Sequence, residues 1–180
     1  VLQSAGYETA IVGKWHLGSK PEWGPNQFGF QHGYGSLAGG CSPYGHRYKT
    51  GPFTQTWHRN GQLIEEEGHI TDLIAREAVR WLEGRGNKPF LLYVAFTAIH
   101  IPIDEPQKWQ EANAHLTDAG ARLRAACASH MDDAVGQVLG ALRRKGLYES
   151  TLVIFLSDNG AHGVGRNDDP QYPGSHPRFK

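Results

Sequence analysis

The apolar residues of the chain fall into short continuous runs and into longer stretches with helical spacing. The runs at residues 9–12, 90–96 and 151–156 have the length and composition of strands that are buried on both faces of a parallel sheet. Residues 71–83 and 119–145 repeat apolar positions at the spacing of a helix face, and both stretches end at glycines. The order of strand, loop, helix, strand, helix and strand predicts an α/β fold, with a mostly parallel sheet flanked by helices.

Residues 14–68 form a long segment in which glycines, prolines, aromatic residues and histidines crowd together without clear periodicity. Long segments of this kind in a compact domain are usually functional. Within it, the Asn60-Gly61 pair is typical of a hairpin turn. Aromatic residues such as Tyr34, Tyr44 and Trp57 either contact sugar rings or pack locally, and the pattern does not decide between these roles.

Polar side chains follow each predicted strand at the point where the strand ends. Lys14 and His16 follow the first run, His100 follows the second, and Asp158 and Asn159 follow the third. Because ligands bind beyond the carboxyl ends of parallel strands, we expect these side chains to share one edge of the sheet. Their charges suit an anion beside a hard metal ion, and carboxylate and amide oxygens suit Ca²⁺ or Mg²⁺. Zinc is disfavoured, since it prefers more His or Cys ligands at closer spacing.

Each of these residues also has an ordinary interpretation when it is taken alone. A lone lysine is mostly solvated, a lone histidine is mostly a structural residue with a partner, and Asp-Asn-Gly is a common turn. Their occurrence after separate strands favours the site over these alternatives. Several further polar residues receive no role in the site: His32, His46, His58, Asp132, Asp133 and His162.

Charged residues are balanced, with 18 Lys and Arg against 18 Asp and Glu, so the formal net charge is zero. This balance argues against a protein that binds nucleic acid or an anionic membrane surface. The longest apolar run is far shorter than the ~20 residues that span a bilayer, so no transmembrane segment is expected. Cys41 and Cys127 form one disulfide or none, and they leave the redox compartment open.

Several motifs together resemble those of a known family. Residues 6–18, GYETAIVGKWHLG, resemble the second signature of the sulfatases, which hydrolyse sulfate esters and have an alkaline-phosphatase-like α/β fold. His100 in a His-x-Pro sequence and the SDNG sequence at residues 157–160 resemble later blocks of that family, in the same order. The MDDAVG sequence at residues 131–136 resembles the family's helix before its last strand. The resemblance extends over essentially the whole chain.

The resemblance implies a role for each candidate residue. Sulfatases use a formylglycine hydrate, made from a Cys or Ser, as the nucleophile that attacks sulfur, and a Ca²⁺ ion neutralises the sulfate. By this resemblance Asp158 and Asn159 are two of the metal ligands, with Mg²⁺ the less favoured ion. Lys14 bridges the formylglycine and a sulfate oxygen, His16 lies near the formylglycine hydroxyls as a base for expelling sulfate, and His100 lies beside the leaving oxygen. Preorganised positive charge and a placed proton donor suit such a reaction.

Other parts of the family pattern are missing from the chain. The formylglycine motif and the paired aspartates of the metal site precede the lysine motif in sulfatases, and residues 1–180 contain neither. Cys41 begins a Cys-x-Pro sequence, but it follows the lysine motif and Gly45 replaces the required Arg, so Cys41 is not expected to be the nucleophile. Lys180 is left out of the site. We therefore expect residues 1–180 to be an internal portion of one sulfatase-like catalytic domain, incomplete and inactive alone.

Three functions remain open on these grounds. The leading one is an arylsulfatase-like sulfuric ester hydrolase that acts on a sulfated carbohydrate or an aryl sulfate. The second is a phosphonate or phosphate ester hydrolase of the same superfamily, since both ester types present tetrahedral anions. The third is an inactive relative that only binds sulfated glycans. By resemblance, a secreted, periplasmic or lysosomal location is expected, whereas the oligomeric state is not predicted.

Overall fold

The computed structural model, which describes residues 1–49 and 54–159, contains a five-stranded mixed sheet with helices packed on it. The strands are β1 (Glu8–Gly13), β2 (His32–Ser36), β3 (Trp57–Arg59), β4 (Gln62–Leu63) and β5 (Phe90–Ala95), arranged in the order β4-β3-β2-β1-β5. Strand β1 is parallel to both β2 and β5, whereas β2, β3 and β4 pair in antiparallel fashion. The helices are α1 (Ile70–Gly84), α2 (Gln107–Ala112) and α3 (Ala119–Arg144). Short 3₁₀ helices cover Gln3–Ala5, Pro21–Trp23, Pro25–Phe28 and Tyr148–Ser150.

The α/β class is confirmed, and the predicted elements that formed agree closely in their bounds with the observed ones. Strand β1 is the centre of the core, with Ala10, Ile11 and Val12 almost fully buried. Helix α1 packs its apolar face on the sheet, and α3 packs on α1. Side-chain caps begin both helices, since His69 accepts a bond from the Thr71 amide at 3.2 Å and Asp118 accepts one from the Ala121 amide at 2.6 Å.

The predicted hairpin is present, and its turn at Asn60 and Gly61 joins β3 to β4. Both residues have positive φ angles, 49° and 80°, as a tight turn that matches strand twist requires. Trp57 and Tyr34 pack edge to face with ring centroids 5.1 Å apart, and both are buried. Local packing is therefore the role of these two aromatic residues, while Tyr44 remains exposed.

The strand predicted at residues 151–156 is not formed, and this prediction was wrong. The segment has no ladder partner among the described residues, and Leu152, Ile154 and Phe155 are 84%, 70% and 75% exposed. An apolar run favours a strand only where a neighbouring strand supplies hydrogen bonds and a surface covers its side chains. Within the described parts of the chain, β5 pairs only with β1, so β5 is an edge strand.

Neither cysteine forms a disulfide, because Cys41 and Cys127 are both free and buried. In the parts of the chain that the structure describes, no helix is long and apolar enough to cross a bilayer.

Candidate functional site

The chain that leaves β1 is held between the ends of β2 and β5. The Lys14 amide donates to the Ala95 carbonyl at 2.8 Å, and the His16 amide donates to the Leu37 carbonyl at 3.1 Å. At the end of β1 itself, a side chain at Gly13 would overlap the Ala95 carbonyl, so only glycine permits this close approach. These contacts place Lys14 and His16 at the carboxyl edge of the parallel strands, where ligands bind in α/β sheets.

His16 has an unusual backbone conformation for a residue other than glycine. Its φ angle of 60° lies in the left-handed region, which side chains rarely adopt. Such strain costs about 1–3 kcal/mol and is concentrated at functional positions. The strained backbone turns the His16 imidazole onto the backbone of Gly39, where an added Cβ would overlap the ring.

His100 comes to the same place from the loop after β5. An added Cβ on Gly40 would lie 3.5 Å from Cε1 of His100. The two imidazoles of His16 and His100 therefore rest on the neighbouring glycines Gly39 and Gly40. The Nδ1 atom of His100 lies 2.6 Å from the Ile101 carbonyl, which can only accept, so Nδ1 donates and Nε2 is left for a ligand.

The electrostatics of His16 link four of the predicted residues. Partial burial lowers the pKa of His16, and the positive charges of Lys14 and His100 lower it further, while the carboxylate of Asp158 opposes them. Each of these groups is therefore near enough to His16 to act on its charge. A lowered pKa keeps the imidazole neutral at neutral pH and able to accept a proton.

Asp158 and Asn159 lie in an exposed turn directly after the apolar segment at 151–156. The Ser157 hydroxyl donates to the Asn159 carbonyl at 2.7 Å and closes this turn. The structure thus brings Lys14, His16 and His100 to one edge of the sheet, and the charge of Asp158 acts on His16. The catalytic and metal-binding roles of these residues stay predictions. Gly160, His162 and Lys180 lie outside the described residues.

A second polar cluster, which the sequence analysis missed, lies between α1, α3 and the loop before α2. We call it the buried carboxylate–histidine cluster, and it consists of His69, Asp72, Glu105 and His130. His130 Nδ1 lies 2.7 Å from Glu105 Oε2, and its Nε2 lies 3.0 Å from Asp72 Oδ1. The sequence gives one signal for this cluster, because His69, the cap of α1, and Asp72 in its first turn are three residues apart.

Proton positions explain why this cluster does not suit a metal ion, although ligand atoms of His69, Asp72 and His130 lie within 4.8 Å of one another. Nδ1 of His69 accepts from the Thr71 amide, so its Nε2 carries the proton and donates to the Asp104 carbonyl at 3.2 Å. Both nitrogens of His130 face carboxylates, as they do when the ring is a doubly protonated cation. Neither imidazole then has a lone pair for a metal.

Comparison with known proteins gives consistent matches. The family model named Sulfatase matches residues 1–178. The chain is 33% identical over 175 residues to N-acetylgalactosamine-6-sulfatase of Mus musculus, a match covering 89% of this chain and 32% of that protein. It is 25% identical over 214 residues to the arylsulfatase of Klebsiella aerogenes, covering 89% of this chain and 46% of that protein.

Solved structures match in the same way. The crystal structure of Ps i-CgsB in complex with k-i-k-neocarrahexaose superposes with a TM-score of 0.75 at 28% sequence identity, over 82% of this chain and 36% of that chain. The present chain spans about a third of the length of the mammalian relatives it matches, 32% in the mouse protein.

Proposed function

Because this chain belongs to the sulfatase family, we propose that the natural protein in which it occurs hydrolyses sulfate esters of carbohydrates. The observation that carries this proposal is the grouping of Lys14, His16 and His100 at the carboxyl edge of β1 and β5, with the charge of Asp158 acting on His16. Such a group offers positive charge and proton-transfer groups to one tetrahedral anion.

The proposed roles follow from the chemistry of each side chain. The nucleophile is a formylglycine hydrate formed upstream of the lysine motif, as in the family. The Lys14 ammonium holds a sulfate oxygen and stabilises the charge that develops during attack on sulfur. His100 acts in its doubly protonated form, in which Nδ1–H is held by the Ile101 carbonyl and Nε2–H is presented to the leaving oxygen. His16, kept neutral by its lowered pKa, takes a proton from a formylglycine hydroxyl to expel sulfate.

Asp158 and Asn159 are proposed as ligands of Ca²⁺, with Mg²⁺ less favoured. They fit, because a carboxylate and an amide oxygen at adjacent positions of one turn are the hard donors that Ca²⁺ takes. Since Ca²⁺ binds about 6–8 oxygens, this pair supplies part of the coordination sphere. When bound, the ion would withdraw negative charge from the sulfate oxygens.

The names of two relatives favour a carbohydrate ester over an aryl ester. The mouse relative, at 33% identity, is named for the 6-sulfate of N-acetylgalactosamine. The Ps i-CgsB structure, at 28% identity, holds an oligosaccharide. We therefore propose a sulfated sugar as the substrate class of the whole protein.

The test measures sulfate release by the whole natural protein from a sulfated sugar and from 4-nitrophenyl sulfate, with 4-nitrophenyl phosphate for comparison. Replacing Lys14 or His100 by Ala is expected to lower kcat on the sugar sulfate by about 10²–10⁴-fold, since each removes a charge-stabilising or proton-donating group. Lys20→Ala and His115→Ala are matched controls, because Lys20 lies over the Trp23 ring and His115 is exposed.

Unchanged turnover in Lys14→Ala and His100→Ala would overturn the proposed site. Faster hydrolysis of the phosphate than of the sulfate would favour the phosphoesterase alternative. Wild-type protein that binds the sulfated sugar but releases no sulfate would instead identify an inactive binding relative.

A further inference from the structure

The loop that carries His100 is anchored at its far end. It runs from the end of β5 to the start of α2, residues 96–106, and its last part enters the buried carboxylate–histidine cluster. Glu105 Oε2 lies 2.7 Å from His130 on α3, and Glu105 Oε1 lies 3.6 Å from Nε2 of His69 at the start of α1. The Asp104 carbonyl accepts from His69 as well, at 3.2 Å. Two helices therefore hold one loop.

These groups are buried and so depend on one another. Glu105 and His69 are each 4% exposed, and His130 is 1% exposed. A buried charge without a partner is strongly unfavourable. The carboxylate of Glu105 is therefore held beside His130, its cationic partner. The cluster fixes the position of the loop more rigidly than surface contacts would.

Charge assignment within the cluster supports this picture. Burial alone would raise the pKa of Glu105, but the hydrogen bond from His130 outweighs it and lowers the pKa. Burial alone would lower the pKa of His130, but hydrogen bonds to Glu105 and Asp72 outweigh it and raise the pKa. The two shifts favour the anionic form of Glu105 and the cationic form of His130.

The anchored end and the catalytic end of the loop meet in space. His100, Thr97 and Pro102 line the same small cleft as His69, Glu105 and Cys127. Within the loop, the His100 amide donates to the Thr97 carbonyl at 2.8 Å, which makes the turn around His100 compact. A displacement of Glu105 would therefore be transmitted to the His100 imidazole over a few residues.

We propose that Glu105, held by His130 and His69, is a positioning residue that keeps Nε2 of His100 directed at the leaving oxygen of the substrate. Glu105 touches neither substrate nor nucleophile in this scheme and acts through His100. The inference rests on the proposed function, because it assumes that His100 is the proton donor for the leaving group.

The leaving group supplies a readout that a general loss of structure would not reproduce. A sugar alkoxide needs a proton as it departs, whereas 4-nitrophenolate is stable enough to leave without one. Glu105→Gln, which keeps the shape of the side chain and removes its charge, is expected to lower kcat for a sugar sulfate by about 10–100-fold, as a misplaced catalytic group does. Its kcat for 4-nitrophenyl sulfate is expected to stay within about 3-fold of the wild-type value, because no proton donor is needed there.

Two comparisons complete the experiment, which uses the whole natural protein. His100→Ala should show the same selective loss, and Lys14→Ala should slow both esters. Glu83→Gln is the matched control, because Glu83 forms an exposed pair with Arg144 at 3.0 Å. If Glu105→Gln does not fold, Asp72→Asn decides the question, since Asp72 is half exposed and contributes one contact to His130.

An equal loss on both esters, or no loss on either, in the Glu105 or Asp72 variant would overturn the proposal. The failure of the proposed function is recognised separately, because the wild-type protein would then release no sulfate from either ester. Amide hydrogen exchange supplies a second measurement, in which Glu105→Gln is expected to expose the His100 amide. Unchanged exchange at that amide would also count against the proposal.

Discussion

The neighbouring glycines under the two imidazoles give a sharp prediction, because the same substitution should have different effects at the two positions. An added Cβ on Gly39 overlaps the His16 ring, whereas one on Gly40 meets His100 at 3.5 Å, an ordinary contact. Neither glycine has a positive φ angle, so alanine suits the backbone at both positions. Gly39→Ala should therefore displace His16, and Gly40→Ala should leave His100 in place.

The size of the effect of Gly39→Ala depends on whether the backbone or the ring of His16 moves. The backbone of His16 is held by its bond to the Leu37 carbonyl, but its ring is exposed and can swing into solvent. Moving the ring out of its present rotamer costs about 0.5–1.5 kcal/mol, while the alanine gains about 0.4–1 kcal/mol by restricting the unfolded chain. The free energy of unfolding should stay nearly constant. Because a shift of about 1 Å in a catalytic group costs about 10²-fold in rate, kcat of Gly39→Ala should fall about 100-fold.

Sulfate release and urea unfolding of the whole natural protein check this prediction. Gly40→Ala is the control, and its kcat is expected to lie within about 3-fold of wild type. Wild-type activity in Gly39→Ala would refute the assignment of His16 to the site. Equal losses in the two variants would show that the glycine pair matters for a reason other than the overlap with His16.

Two further predictions concern stability. Burial alone would raise the pKa of Glu77, but bonds from His32 and Arg59 lower it to about 2. The contribution of the Glu77 charge to folding stability is therefore present above about pH 4.5 and is lost as the pH falls towards the folded value. In urea unfolding, Glu77→Gln should lower the free energy of unfolding by about 1–3 kcal/mol at pH 7 and by little near pH 2. The folded-state pKa of His130 is raised above its ordinary 6.5. The charge of His130 therefore stabilises the fold fully below about pH 6.5 and less as the pH rises through the folded value, so the cost of His130→Gln should be largest below about pH 6.5 and should shrink as the pH rises above it. A cost independent of pH in either variant would refute the charge assignment.

Hydrophobic patterning predicted the elements whose burial is decided by their own residues. Strand β1 and both long helices agree with the pattern to within a residue or two. Strand β2 was missed, because its sequence HGYGS is poor in strand-forming residues. Its glycines are required by packing, since a Cβ on Gly35 would overlap the Gly13 backbone. Such a requirement belongs to the tertiary structure and leaves no periodic signal.

The candidate site could be predicted from local sequence, whereas the buried carboxylate–histidine cluster could not. Lys14, His16 and His100 were predicted because each follows an apolar run and strand ends converge. His130 falls within the helix predicted at residues 119–145, and the helical pattern gives it no role of its own. Its importance depends on Glu105, which is 25 residues away in sequence and 2.7 Å away in space. No local pattern connects the two.

The exposed apolar segment at residues 151–156 affects how the chain is expected to behave in solution. Its side chains are mostly exposed, and β5 beside β1 has one edge without a strand among the described residues. An open strand edge together with a β-prone apolar run is a template for aggregation. Expressed by itself at high concentration, the 180-residue chain is therefore expected to self-associate, and polar replacements at Leu152 and Ile154 are the first changes to make for a soluble preparation.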